Sequence, residues 1–408
     1  MTAVKPQVLL VHPGTQYAPH LARELSSHGM LHRFWTGFAL AEDGWGARFL
    51  KLCPASISSR LGKRMMEIPR SKLRSLPLLD WRARRAARSV GEEAAFFERN
   101  RRFQKAVQDD EIGASNVVIG FDTSAWLLGR RAKAMQRKFI LDQSIGHPAA
   151  KERIFESLRQ RFPAWRNSAP KKANEIQAVE REEHDLADVI VAPSEFVKQT
   201  LSTEGVEPSK IHVIPFGTDL GLFHPPDQRD RGSHGKPVAF LFVGGLTVRK
   251  GLPVLLAAWR QMNLPAAELW LVGSGELPAE EKATLPQTVK ILGPKGRADV
   301  AALMRESDVF VFPSFFEGLA QVQIEAMATG LPVIGTHESG AGGLVQSGVD
   351  GEIVPAGDEK ALADAMRKLA TDHDLRRRMQ ASALASREQL SWKIYGDRWA
   401  ALLTTLGC

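Results

Sequence analysis

The sequence predicts an α/β protein made of two Rossmann-like units that face each other across a cleft. Three observations lead there. Short apolar runs alternate with longer segments of helical period, the pattern of parallel sheets with helical crossovers. That alternation stops near residue 216 and restarts near residue 238. The chain of 408 residues also exceeds one ordinary domain and suits two of roughly 200 each.

In order, VLLV (8–11) is expected as the first strand and residues 18–27 as a helix. A helical stripe follows from Arg82 to Phe103, carrying Ala83, Ala86, Ala87, Val90, Ala94 and Phe97. Strands are expected at 116–120, 138–142, 189–193 and 211–215. FGTDLGLFHPPDQRDRGSHGKP is rich in Pro, Gly and charge without periodicity, so it reads as a linker or a long exposed connection. Strands then recur at 238–245, 268–275, 289–293, 309–314, 332–336 and 351–355. The expected organisation is a first unit over 1–215, a linker over 216–236, a second unit over 237–385 and terminal helices over 386–408. Two such halves bind ligand between them, at the carboxyl ends of their strands.

Apolar content of 44% and charged content of 25% are those of a soluble globular protein. No run approaches the roughly 18 apolar residues of a membrane span, and MTAVKPQVLLVHPG reads as a strand rather than a signal peptide. Two cysteines, Cys53 and Cys408, exclude a disulfide framework and lack metal-site spacing, which points to the cytoplasm. The net charge of +8 is uneven. Between Arg60 and Arg88 lie Lys63, Arg64, Arg70, Lys72, Arg74, Arg82, Arg84 and Arg85, against Glu67 and Asp80. The block is either a solvated face or a patch for an anionic surface. No aromatic platforms of the kind nucleic-acid binders need are evident in it, so a membrane surface is the better of the functional readings and no nucleic-acid partner is expected.

The stretch FFEGLAQVQIEAMATG (315–330) carries the chemistry. A buried-type strand ends at Pro313-Ser314, helix formers run from Leu319 to Ala328, and Gly330 is a stop. Glu317 therefore sits in the strand-to-helix turn, and the amides of Gly318, Leu319 and Ala320 open the helix toward an anion such as diphosphate. Glu325 lies about two turns on, roughly 9–12 Å away. Ionised carboxylates only accept hydrogen bonds, and sugar hydroxyls are natural donors to them. Two carboxylates flanking an anion site can grip a ribose and a hexose; alternatively, Glu317 caps the helix and Glu325 is merely solvated. In FVGGLTVRKG (242–251), Gly244 and Gly245 allow close backbone approach, and Arg249 and Lys250 can neutralise a leaving diphosphate. Further turns, LVGSGE (271–276) with Gly273 and ILGPKG (291–296) with Leu292, Pro294 and Lys295, end the next two strands. Neither a P-loop nor a G-x-G-x-x-G after the first strand is present.

GGLTVRKG, LVGSGE, PSFFEGLAQVQIEAMATGLPVIGT and GVDGEIVPAGD resemble the carboxyl-terminal domain of family-4 retaining glycosyltransferases of the GT-B fold. Residues 180–225 resemble the segment that precedes that domain. The resemblance implies transfer of a hexosyl group from a UDP- or GDP-sugar to an acceptor hydroxyl, in cell-surface polysaccharide, lipopolysaccharide or glycolipid synthesis. Glu317 would bind the donor sugar, Gly318 to Ala320 and Val322 would line the sugar and diphosphate, and Glu325 would hold the ribose. Lys250 would pair with the diphosphate, and Arg249 would stand in for the arginine that the family has at Gly245. The 292–295 loop would face the base. A glutamate that the family often has near Gly343 is absent.

In the first unit, which would take the acceptor, Gly14 lies where the family has a glycine loop. His147 falls where members place a histidine beside the donor sugar, able to bind hydroxyls or to titrate near neutrality. Asp122 and Ser124 face the cleft or form a structural turn. No Asp-x-Asp motif occurs, so neither metal nor cofactor is expected. The terminal helices would cross back to the first unit, and the protein is expected in the cytoplasm, peripheral on the inner membrane face. A nucleotide-sugar epimerase of the same fold, or a degenerate non-catalytic binding partner, is the alternative reading.

Overall fold

The computed structural model describes residues 5–14, 17–44, 62, 64–168, 174–226 and 236–407. Arg60, Lys63, Cys53 and Cys408 lie outside them.

Two parallel sheets carry the fold. The first holds β1 (Val8–His12), β2 (Leu31–Thr36), β5 (Leu73–Ser75), β6 (Val117–Phe121), β7 (Lys138–Asp142), β8 (Val189–Ala192) and β9 (Ile211–Val213), in the order β5-β2-β1-β6-β7-β8-β9. A small two-stranded sheet, β3 (Leu40–Ala41) and β4 (Met65–Met66), lies apart from it. The second large sheet holds β10 (Val238–Val243), β11 (Ala267–Val272), β12 (Val289–Gly293), β13 (Val309–Phe312), β14 (Val333–Gly335) and β15 (Gly351–Ile353), in the order β12-β11-β10-β13-β14-β15. Strand order reverses between β1 and β6 in the first sheet and between β10 and β13 in the second. Crevices for ligands open at such switch points, beyond the carboxyl ends of the strands. The central strands are apolar along their whole length because helices cover both faces: Val8 to Val11 and Phe240 to Phe242 are fully buried.

The carboxyl edges of the two sheets meet. Gly146 packs on Phe316, and Ser194 Oγ donates to the Gly318 carbonyl across the junction. A Cβ on Gly318 would stand 1.8 Å from the Ser144 carbonyl, so only glycine permits this approach. The Pro148–Arg161 helix leaves the first sheet and buries Phe155 and Leu158 in the core of the second unit. In return, the last helix, Trp392–Thr405, buries Trp392, Tyr395, Trp399 and Leu403 against β1 and the Ala18–Ser27 helix. Each large apolar side chain buried this way contributes roughly 1.5–3 kcal/mol.

Three expectations need correction. The helix expected from Arg82 to Phe103 is two, Pro77–Val90 and Glu92–Ala106, because Gly91 between them takes φ 85° and ψ 156°. β2 was not anticipated, since His32 and Arg33 interrupt its apolar run. The start of the linker is packed rather than exposed: Thr218 N donates to the Leu390 carbonyl at 2.7 Å, and Phe223 is fully buried in the second core. Among the described residues no helix is long and apolar enough to cross a membrane.

Candidate active site

The loop after β10 and the turn after β13 converge on one carboxylate. Glu317 is 8% exposed, and its Oε1 accepts from Arg249 Nη1 at 2.7 Å and Ser314 Oγ at 2.9 Å, with Lys250 Nζ at 2.7 Å. Burial pushes this carboxyl up, but Lys250 and then Arg249 more than offset it, and its pKa falls below the ordinary value. Burial lowers the Lys250 pKa, with Glu317 opposing. Lys250 also lies 5.0 Å over the Phe312 ring. The loop is fixed at both ends. Arg249 Nη1 donates to the Phe316 carbonyl at 2.9 Å, and Phe315 N donates to the Arg249 carbonyl at 2.8 Å. Gly251 takes φ +74°, and a Cβ there would fall 1.9 Å from the Pro313 carbonyl. Two cations are thus held ready beside a helix start, balanced by a single anion.

The amides of Gly318 and Leu319 have no hydrogen-bond partner among the described residues. Ala320 departs from expectation: its N–H donates to the Ser339 carbonyl at 3.2 Å, because the loop after β14 folds over this turn. The helix itself runs Gln321–Ala328. Glu325 is 6% exposed rather than solvated, and its Oε1 accepts from Arg297 Nη2 at 2.8 Å. Burial lifts the Glu325 pKa to about 7, against the pull of Arg297. Arg297 also lies 5.2 Å over the Phe223 ring. No sequence signal pointed to Arg297, which opens a different helix 28 residues earlier. Gly244 and Gly273 stack the strand-end turns through Gly244 N to the Val272 carbonyl at 2.8 Å and Gly273 N to the Gly293 carbonyl at 3.1 Å. Gly245, Leu292 and Val322 are half-buried on this rim, and Pro294 is exposed.

Across the junction, Asp122 accepts from Ser144 N at 3.2 Å and Ser144 Oγ at 2.9 Å, which ties the turns after β6 and β7 together. Ser124 does not face the cleft; it is buried, and its Oγ donates to the Phe121 carbonyl at 3.0 Å, closing a turn. Gly14 N donates to His12 Nδ1 at 2.6 Å. His147 begins the Pro148–Arg161 helix, its Nδ1 accepting from Ala149 N at 3.2 Å. Burial lowers its pKa below the ordinary imidazole value, and Nδ1 serves as an acceptor for the Ala149 amide. A buried cluster that sequence reasoning missed lies beneath: Tyr17 Oη donates to Asp142 Oδ1 at 2.8 Å, and burial raises the Asp142 pKa well above its usual range. Tyr17 and Asp142 are 125 residues apart and only the β1–β6–β7 order unites them.

Two parallel α/β units that meet at the carboxyl edges of their sheets have the architecture of the GT-B fold. Residues 237–372 match the family model described as glycosyl transferases group 1, and residues 153–222 match the one described as glycosyltransferase family 4. These two segments carry glycosyltransferase family domains. A relative in Salmonella typhimurium, named as the colanic acid biosynthesis glycosyltransferase WcaL, is 28% identical over 279 residues, covering 62% of this chain and 68% of its own. Two further curated relatives are matched over only 47% and 42% of their length. Among solved structures, sucrose-phosphate synthase from Thermosynechococcus elongatus superposes with a TM-score of 0.64 at 20% identity, over 98% of this chain and 99% of that one. HepE of Anabaena, solved with UDP and glucose, superposes with a TM-score of 0.63 at 16% identity, over 98% and 100%.

Proposed function

We propose that the protein is a retaining hexosyltransferase that moves a sugar from a nucleoside diphosphate to an acceptor hydroxyl in surface polysaccharide or glycolipid synthesis. The observation that carries this is the Glu317–Arg249–Lys250 cluster beside the free amides of Gly318 and Leu319. A diphosphate seated there meets two cations and two N–H donors without any reorganisation, the arrangement that best stabilises a departing anion. Glu317, with its other oxygen uncommitted in any described hydrogen bond, accepts from a sugar hydroxyl, and Glu325 accepts from the ribose.

The acceptor oxygen attacks the anomeric carbon on the face that the diphosphate leaves. The bond from that carbon to the diphosphate oxygen breaks as the new glycosidic bond forms, and the acceptor proton passes to a phosphate oxygen of the leaving group. His147 Nε2 is left for a sugar hydroxyl. Arg249 and Lys250 supply the positive charge, so we expect no metal requirement. UDP-sugars are the first donors to test, because a neighbour of the same fold is described with UDP and glucose. The relative named for colanic acid biosynthesis supports a saccharide acceptor.

A thermal-shift panel of UDP, GDP, ADP and their sugar conjugates tests the reading. A ligand at about 100 times its Kd should stabilise the fold by roughly 2.7 kcal/mol. One nucleotide should do so in wild type and far less in Lys250→Ala. No response to any diphosphate from folded protein would refute the proposal, and epimerised donor recovered without an acceptor would favour the epimerase reading.

A further inference from the structure

The Pro77–Val90 helix buries one side chain, Ala83, and rests Leu79 on the first-unit core. Its outer face is unusual. Leu78 is 66% exposed and Trp81 58%, among the most exposed large apolar side chains of the described residues. Three residues apart themselves, they share that face with Arg82, Arg85 and Arg88, at helical spacings of four, seven and ten residues from Leu78. Arg85 lies 5.8 Å from the Trp81 ring centre. The helix's one carboxylate, Asp80, is already matched by Arg84 at 3.4 Å and Arg99 at 3.0 Å, so the three outer arginines are unopposed along the helix.

Exposed leucine and tryptophan flanked by arginines describe an interfacial helix, in which the rings enter the acyl boundary and guanidinium groups reach the phosphates. A second copy of the chain fits poorly, because an isologous contact would set these arginines against their own equivalents. The helix starts at the cleft edge: Leu76 N, just before it, donates to the Thr36 and Gly37 carbonyls at 3.0 and 2.7 Å, beyond the end of β2.

We infer that the Leu78–Trp81–Arg82–Arg85–Arg88 face is a docking surface for an anionic phospholipid bilayer, which sets the acceptor side of the cleft against the membrane. The surface deepens the proposed function by giving the acceptor a lipid-bound source. Its test is separable from the donor reading, because nucleotide binding uses the other unit.

Full-length protein is sedimented with vesicles of phosphatidylcholine alone or mixed with phosphatidylglycerol, at low and high salt. Wild type should partition to the anionic vesicles at low salt. The triple variant Arg82→Gln/Arg85→Gln/Arg88→Gln should lose on the order of a hundredfold in partitioning. Trp81→Ser alone should weaken it several-fold, and UDP stabilisation should be unchanged in both variants. Equal binding to neutral vesicles, no binding by wild type, or undiminished binding by the triple variant overturns the inference. So does a concentration-dependent dimer that the triple variant abolishes, which would give the face to a second copy.

Discussion

Replacing Glu325 by glutamine should make the protein more stable at alkaline pH while weakening its hold on the donor. Burial lifts this carboxyl from 4.5 to about 7, with Arg297 holding it from rising further. A rise of about 2.5 at about 1.36 kcal/mol per pKa unit amounts to about 3 kcal/mol against the ionised form in the fold. The sign follows from proton counts. Between pH 4.5 and 7 the folded chain keeps a proton on Glu325 that the unfolded chain has released, so stability falls as pH rises through that window. Glutamine has nothing to ionise. The variant-minus-wild-type difference should therefore be near zero at pH 4.5 and grow to about 3 kcal/mol in the variant's favour by pH 8. Urea unfolding of both proteins across this range measures it, and subtraction cancels the other titrating groups. A difference that stays flat with pH, or a variant less stable at pH 8, would refute the argument. In Arg297→Gln the wild-type window should extend to higher pH, because the one group pulling the carboxyl down is gone.

Further outcomes follow from the same geometry. Lys250→Ala should lower kcat/KM by about a hundred- to a thousandfold, as loss of one preorganised charge typically does, read from nucleotide release with acceptor present; a loss below tenfold would remove Lys250 from the chemistry. Glu317→Ala strands Lys250 and should destabilise the fold by about 3–5 kcal/mol in chemical denaturation, with unchanged stability counting against the charge balance. Gly318→Ala forces a methyl group into the Ser144 carbonyl and should hold the two units apart, which small-angle scattering would register as a larger radius of gyration. An unchanged radius with full activity would mean the junction yields easily.

Much of this was legible in the sequence, for identifiable reasons. The central strands of the second unit, β10 (VAFLFV) and β13 (VFVF), are unbroken apolar runs because both faces of the sheet are covered there, and each strand of that unit lies within two or three residues of where periodicity put it. The strand-to-helix turn around Glu317 and Gly318 was equally plain. What failed depended on distance or on a single residue. Gly91 split one helical stripe in two. His32 and Arg33 hid β2, since its half-buried positions tolerate charge at the sheet's outer side. The pairing of Arg297 with Glu325, the loan of the Ala320 amide to Ser339, and the Tyr17–Asp142 bond join segments that only the folded topology brings together. For Ser124 the sequence leaves two readings open, because a hydroxyl in a strand-end loop can face either way, and the turn's own carbonyl decides between them.

The returning terminal helix has a mechanical consequence. The chain passes between the two units once near Thr218 and again near Ser391, and these passages lie side by side: Thr218 pairs with Ser391 in parallel fashion, and Arg387 Nη2 donates to the Leu220 and Phe223 carbonyls. A body hung on one tether can swing and twist in any direction. Hung on two strands bonded to each other, it is left mainly with rotation about the line they share. The spine of this molecule is therefore closer to that of a bound book than to a loose string, and its opening and shutting should trace one arc, returning Gly318 and Ser144 to the same meeting point on every stroke.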